Sequence, residues 1–383
     1  MQGNDERCGL GLFSELINNL AQDLDSERNH RRVTAIHSMG FLTYRCSSRC
    51  RTCTIWKRNT EKTYSELSKD EWLVVLGRLK QYGVRDFEIF GGDALLRDDA
   101  IFDVVRFSSD NNIETFFPTN SISCSKEAVR KLVDAGLGTI YLSLDDIGED
   151  NDGIRGVDGT FARVKETLEA FIAERGGKKF PRIIVCTTLS NLNYKNFPKL
   201  VEFLDGYQIN ALYPRPLGEF TPENISASQI NGLEPEPYFM PSDGQSHLLS
   251  PKQYDELNRI FAQYKNRTSG VFINLLAHYN ATRETYTRGL YPRKQCHVAS
   301  LLVTINPNGD VVPCPFFREY SIGNLVRQEL SEIWGNEAHR KFLKLQQSGK
   351  LPICRNCNMR VYYPSIAEKC SYYLRRMLDK TLG

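Results

Sequence analysis

Seven of the eleven cysteines in this 383-residue chain fall into two groups whose spacing suits metal chemistry. Cys46, Cys50 and Cys53 stand in "RCSSRCRTCTIW" at C-x3-C-x2-C spacing, and Cys296, Cys314, Cys354 and Cys357 form a second set that ends in a CxxC pair. Disulfides use thiols in pairs and a closed zinc site takes four ligands, so a trio satisfies neither. Zinc would need a further ligand, for which His37 across the preceding strand is available. Alternatively, three thiolates hold three irons of a four-iron four-sulfur cluster and leave the last iron open to a small molecule. The second set, with four thiols, can close either a cluster or a zinc knuckle. Cys8, Cys124, Cys186 and Cys370 stand apart, and a lone cysteine reads as a small buried hydrophobe.

The bulk composition agrees with thiols that bind metal. Hydrophobic residues make up 41% and charged residues 25%, which is ordinary globular composition with enough length for a large domain and a smaller one. Forty-nine basic against 46 acidic side chains leave a net charge of +3, far from the positive field that nucleic-acid binding requires. No run of eighteen apolar residues occurs, and "MQGNDERCGLGLF" lacks the basic start and apolar stretch of a signal peptide. The expectation is a cytoplasmic protein with no membrane or nucleic-acid partner and with reduced cysteines. The N-x-[ST] triplets at Asn224, Asn266 and Asn280 are then given no role.

The elements that must position these thiols alternate. An amphipathic N-terminal helix carries Phe13, Leu16, Ile17 and Leu20 on one face. "VTAIHSMGFLT" is of strand type and leads into the first cysteines. Ser68 and Glu71 make a capping box for a helix that Gly83 stops, and "DFEIF" is a strand that ends at Gly91. The strands "IETFFPT", "TIYLSLD", "RIIVCTTLS" and "INALYPRP" then alternate with helices near 99–109, after Ser125, and in "FARVKETLEAFIAE" and "KNFPKLVEFLD". This order implies a parallel α/β fold with right-handed crossovers, either doubly wound or a barrel. There are six βα units if "PKQYDELNRIFAQY" is the last helix, short of the eight of a closed barrel. Residues 217–250 read as a long acidic loop leaving the last strand, where lids occur. "SLLVTINPNGDVVPCPF" is a hairpin turning at Asn308-Gly309, and a helix over "LSEIWGNEAHRKFLKLQQ" precedes the CxxC. The expected organisation is an extension over 1–32, a barrel over 33–270 and a small module over 271–383.

The trio after the first strand, with the segments that follow in order, resembles the radical S-adenosylmethionine (radical SAM) enzymes. "FGGDALL" is similar to the family's Gly-Gly-Glu segment, which implies that the backbone of Gly91, Gly92 and Asp93 meets the methionine amine. "PTNS" resembles the Thr-Asn-Gly segment, carried by Thr119 and Asn120, and "LSLDD" the Ser-x-Asp-Gly segment, which makes Ser143 a cofactor contact. "DGIRGVDGTF" resembles the Arg-Gly stretch, so Arg155 would pair with the methionine carboxylate. Each segment lies at a strand's C-terminal end, where ligand sites of parallel α/β folds lie. Asp93 stands where Glu is usual, and Thr52 at a position often aromatic. The second cysteine set resembles the Twitch module, a reduced SPASM extension with one auxiliary [4Fe-4S] cluster; Cys370 is available as a spare ligand but is not assigned to it. The fold implied is a partial (β/α)6 radical SAM barrel with a C-terminal Twitch-type module.

The resemblance implies S-adenosyl-L-methionine as cofactor, a 5′-deoxyadenosyl radical, and a flavodoxin or ferredoxin as electron donor. An auxiliary cluster closed by four thiolates suits electron acceptance, which favours oxidation of a small polar substrate, with Asp145 or Asp146 as base. Glu219, Glu223, Glu234, Glu236 and Asp243 in the insert suggest a cationic substrate such as an amino sugar or aminocyclitol. The other readings are a redox-neutral epimerase or dehydratase, a peptide maturase, and a zinc-stabilised binding module without catalysis. The 32 residues before the barrel are too few for the leader-recognition domain that often accompanies peptide maturation.

Overall fold

A computed structural model describes residues 21, 24–26, 28–58, 65–265, 267, 269–291 and 296–359. The expected N-terminal helix, Cys8 and Cys370 lie outside these residues. Among them a nine-stranded sheet runs in the order β6-β5-β4-β3-β2-β1-β7-β8-β9. The first half alternates as expected: β1 (His37–Phe41), α1 (Lys69–Tyr82), β2 (Asp86–Phe90), α2 (Ile101–Asp110), β3 (Glu114–Thr119), α3 (Lys126–Asp134) and β4 (Thr139–Ser143). It continues with α4 (Gly148–Arg155), α5 (Thr160–Arg175), β5 (Arg182–Leu189), α6 (Phe197–Leu204) and β6 (Ala211–Pro216). Strands β1 to β6 pair in parallel, neighbour to neighbour.

Local chemistry sets the boundaries. The Ser68 hydroxyl accepts from Glu71 N while the Glu71 carboxylate accepts from Ser68 N, which satisfies two donors at the start of α1. Gly83 closes the same helix at φ 99°, a left-handed conformation that a Cβ resists. The helix faces bury Trp72, Val75, Leu76 and Leu79 against Phe87 and Ile89 of β2. Gly40 on β1 is required here, since a Cβ would stand 2.9 Å from Phe87 Cε2 and 3.1 Å from Trp72.

The C-terminal half departs from the sequence reading in three places. The stretch 217–250 is a packed strap: it holds α7 (Pro222–Ser226), and Phe220, Ile230, Tyr238 and Leu249 are buried in the core. It leads into α8 (Pro251–Ala262), α9 (Leu276–Tyr279), α10 (Arg283–Arg288) and α11 (Val298–Leu301). The hairpin of β7 (Leu302–Ile305) and β8 (Asp310–Val312) turns at Asn308-Gly309 as expected, but β7 pairs in parallel with β1 and β9 (Gly323–Asn324) completes the sheet. The single helix expected over 330–347 is two, α12 (Leu330–Ile333) and α13 (Glu337–Gln347). Gly335 breaks the run at φ 83° and Asn336 caps the second piece by accepting from His339 N. No helix among the described residues is long and apolar enough to cross a membrane.

Candidate active site and metal centres

The trio occupies the loop that follows β1, at the C-terminal end of the sheet. Its start is locked to the end of β2: Gly92 N donates to Thr43 O at 3.1 Å and Asp93 N to Arg45 O at 2.8 Å. These backbones approach so closely that a Cβ on Gly92 would stand 2.6 Å from the Arg45 carbonyl carbon and 2.8 Å from Cys46 Cβ. The loop's middle rests on α4, with Arg49 N donating to Arg155 O and Arg51 N to Ile154 O, both at 2.9 Å. Gly156, at φ 69°, turns the chain beneath Arg49, whose carbonyl carbon is 2.8 Å from where a Cβ would be. At the far end Thr54 N donates to Tyr238 O of the strap at 2.9 Å.

The donor set fits an iron-sulfur cluster. Burial, reinforced by repulsion from Cys50, pushes the Cys46 and Cys53 thiols up to about 12, so thiolates here require bound positive charge. Donors already surround the sulfurs: Ile55 N lies 3.5 Å from Cys53 Sγ, Asn120 Nδ2 3.8 Å from Cys46 Sγ, and the Arg155 guanidinium 3.9 Å from Cys50 Sγ. Such bonds stabilise sulfur-borne negative charge and tune a cluster.

The other expected cofactor residues converge on this loop. Asp93 accepts from the Ser47 hydroxyl, from Ser123 Oγ at 2.7 Å and from Leu95 N at 3.3 Å, so the shorter acid is engaged in holding the loop. Asn120 donates to Ser47 Oγ at 3.0 Å and accepts from Ile122 N. The Thr119 hydroxyl accepts from Ser121 N, and Ser143 ends β4 beside Cys186 of β5. Arg155 forms an ion pair with Asp145 at 2.8 Å, with both side chains nearly buried. Asp145 also accepts from Thr188 N. Asp146, fully buried, accepts from Asn196 Nδ2 at 3.0 Å and Ile147 N at 2.8 Å. Both expected bases therefore have structural partners, because the turn after β4 uses their carboxylates to hold its own backbone and Arg155.

The second set surrounds an apolar cavity lined by Cys296, Cys314, Cys354, Cys357, Phe316 and Ile353 among others. Burial drives the Cys314 and Cys357 thiols well above their ordinary range, with the neighbouring thiols adding to the rise. Among the described residues no three Cys, His, Asp or Glu side chains converge on a point that would hold a single ion, whereas four sulfurs share this one cavity. That arrangement fits a multi-atom cluster.

Residues 41–204 match the profile of the radical SAM superfamily and residues 296–358 that of the SPASM iron-sulfur cluster-binding domain, together well over half of the chain. The chain belongs to the radical SAM superfamily. An AdoMet-dependent heme synthase of Methanosarcina barkeri is 26% identical over 339 residues, which cover 84% of this chain and 90% of that protein. A PqqA peptide cyclase of Methylocella silvestris is 29% identical over 136 residues, 35% of this chain and 36% of that one. The fold is shared with Streptococcus suis SuiB in its S-adenosylmethionine complex, at a TM-score of 0.60, 17% identity and coverage of 84% and 72%. As in the rest of the superfamily, a SAM-binding [4Fe-4S] cluster belongs to the N-terminal domain and auxiliary iron-sulfur chemistry to the C-terminal one.

The radical SAM barrel also contains residues that sequence reading passed over. On β2 to β6 the residues facing the helices are fully buried, among them Phe87, Ile89, Phe117, Leu142, Val185 and Leu212. Their neighbours of opposite parity, Glu88, Phe116, Tyr141, Cys186, Tyr213 and Arg215, keep accessible surface. A closed eight-stranded barrel fills that side with packed side chains; here it is a chamber. Burial raises the Glu88 carboxyl to about 7 against the attraction of Arg215, and Arg215 lies over the Tyr213 ring at 5.9 Å. The alternation of exposed and buried positions in "DFEIF" was the available signal, since it places an acid on the inner face.

The strap joins the two thiol sets. Tyr238, whose carbonyl receives Thr54 N, packs its ring 5.3 Å from Phe316, two residues from Cys314. Arg58 lies over Tyr44 and Tyr238 at 5.0 and 5.1 Å and donates to Glu236 O. Three of the five acids expected to meet a cationic substrate have partners within the protein, although of the three only Glu219 is buried. Asp243 pairs with Arg51 at 2.9 Å and His247 at 3.0 Å, Glu236 with Arg318, and Glu219 accepts from Ser246 Oγ and His247 N at 2.7 Å. Glu223 and Glu234 are exposed.

Proposed function

We propose that this chain is a radical SAM oxidoreductase that oxidises a polar substrate inside the barrel chamber. When bound, the trio's cluster and S-adenosylmethionine supply a 5′-deoxyadenosyl radical that takes a hydrogen atom, and the auxiliary cluster supplies an acceptor for one electron. The observation that carries the reading is the partly accessible inner face of β2 to β6, together with the strap that links the two thiol sets through Tyr238 and Phe316. Gly91, Gly92 and Asp93 offer backbone at the cofactor's methionine end, while Asn120, Ser143 and Arg155 supply polar contacts around it. Glu88 takes the place of Asp145 and Asp146 as proton acceptor, since a carboxyl near 7 divides between its two forms at neutral pH. Loss of a hydrogen atom, then of a proton and an electron, completes a two-electron oxidation. The strap covers the chamber and excludes water, and a flavodoxin or ferredoxin supplies the reducing electron.

A second reading is peptide maturation, favoured by the match to a PqqA peptide cyclase across the segment that aligns with it. One anaerobic experiment tests the common step and separates the outcomes. Reconstituted protein given S-adenosylmethionine and dithionite is expected to form 5′-deoxyadenosine, and Cys50→Ala to abolish it. A panel of polyols and peptides then reports a product two electrons more oxidised, or a crosslinked peptide. Absence of 5′-deoxyadenosine from fully iron-loaded protein overturns both readings.

A further inference from the structure

The chamber gathers charged and polar side chains from β2, β4, β5 and β6 on one face of the sheet. Parallel barrel strands stabilise themselves by filling the inner face with apolar side chains, yet here β6 projects a guanidinium, Arg215, and β5 a thiol, Cys186, into the same space as Glu88. Register fixes these neighbours: Tyr213 is the Cα partner of Cys186, and Arg215 that of Thr188. Tyr141 sits across from Tyr213 with ring centroids 6.5 Å apart, so two phenol groups flank the approach to Arg215. Each of these side chains is partly accessible, those of β2, β4 and β5 on interior strands and those of β6 on the strand that ends the sheet order. Arg215 is attracted to Glu88 and hydrogen-bonds to Cys186, and none of the cluster or cofactor contacts described above uses it.

We infer that Arg215 is a substrate-recognition residue that binds a carboxylate group of the substrate, with the Tyr141 and Tyr213 hydroxyls beside it and Glu88 facing the rest of the molecule. The inference rests on the chamber being where substrate binds. A planar guanidinium matches a carboxylate through two parallel hydrogen bonds. A phosphate dianion fits less well, because Glu88 shares the chamber and repels a second negative charge. Polyols lack the anionic group that would offset the cation's desolvation, so the inference replaces the amino sugar suggested by the sequence with a carboxylate-bearing substrate.

Cys186 makes a built-in reporter for this site, since alkylation forms a C–S bond, expels iodide and releases the thiol proton to solvent. Cluster-loaded protein is treated, without reductant, with iodoacetate or its neutral counterpart iodoacetamide, and modification at Cys186 is read by peptide mass spectrometry. The iodoacetate-to-iodoacetamide rate ratio at Cys186 is expected to exceed that of glutathione by at least about fivefold, given the strength of charge attraction in a partly buried site. Arg215→Met should return it to the glutathione value, with iron content checking that the variant is folded. On the unaltered protein, acetate should slow iodoacetamide at Cys186 while acetamide does not, a measurement that needs no variant. An unreactive Cys186, a ratio no higher than that of glutathione, or equal protection by acetate and acetamide overturns the inference. None of these readouts involves cleavage of S-adenosylmethionine, so the inference and the proposed reaction fail separately.

Discussion

Gly92→Ala puts the cluster loop to a quantitative test. Its Cβ would stand 2.6 Å from the Arg45 carbonyl carbon and 2.8 Å from Cys46 Cβ, where ordinary contact begins near 3.4 Å. Relief requires the two backbones to part by roughly 0.8 Å, and packed backbone yields little, at a cost of about 1–3 kcal/mol. Metal–ligand distances tolerate only about 0.2 Å. Cys46 then cannot reach its iron while Cys50 and Cys53 hold theirs. Anaerobically reconstituted Gly92→Ala is expected to fall from about eight irons per chain to about four, to lose 5′-deoxyadenosine formation, and to keep the auxiliary cluster's absorbance. Gly77→Ala is the control: no atom lies within 4 Å of its added Cβ on α1, and alanine in a helix is favourable by up to about 1 kcal/mol. If Gly92→Ala retains full iron and an unchanged 5′-deoxyadenosine rate, close backbone approach does not position the trio.

Further expectations concern the other groups. Glu88, at about 7 against an ordinary 4.5, holds about 0.9 proton at pH 6, which the infrared band of protonated carboxyl should show and Glu88→Gln should remove. Because the folded state binds that proton more tightly, stability falls by about 3 kcal/mol as pH rises from roughly 4.5 to 7; in urea melts Glu88→Gln should flatten this decline. Asp145→Asn leaves the Arg155 guanidinium buried without its 2.8 Å partner and should lower stability by about 3–5 kcal/mol, visible as a drop in melting temperature with the trio's iron still bound. Cys314→Ala should remove about four irons yet leave 5′-deoxyadenosine formation intact; loss of both would place the C-terminal cysteines in cofactor cleavage itself.

Much of this architecture was legible because its strands are short apolar runs bounded by turn residues. "DFEIF" became β2 without a residue of error, and the Ser68–Glu71 box and Gly83 bounded α1 through chemistry local to the sequence. The thiol loop and the glycines at 91 and 92 were readable for the same reason, since their order along the chain carries the information. Glu88 and Arg215 were not, because alternation marks an inward acid on β2 but carries no sign of which inward residue on β6 comes near it. The acids of 217–250 mark another limit: composition cannot tell that Asp243 meets Arg51 or that Glu236 meets Arg318. Nor did the hairpin pattern reveal its partner, because parallel pairing with β1 leaves no local mark.

That last pairing sets a limit on dissection. With β2 along one flank and β7 along the other, β1 is an interior strand, and the iron-binding loop leaves directly from its end. Cutting the chain ahead of the hairpin would bare a row of backbone amides and carbonyls on β1, an invitation to intermolecular association. The N-terminal catalytic half is thus expected to precipitate or scavenge a foreign strand when expressed by itself, and co-expression of the missing piece in trans should rescue its solubility.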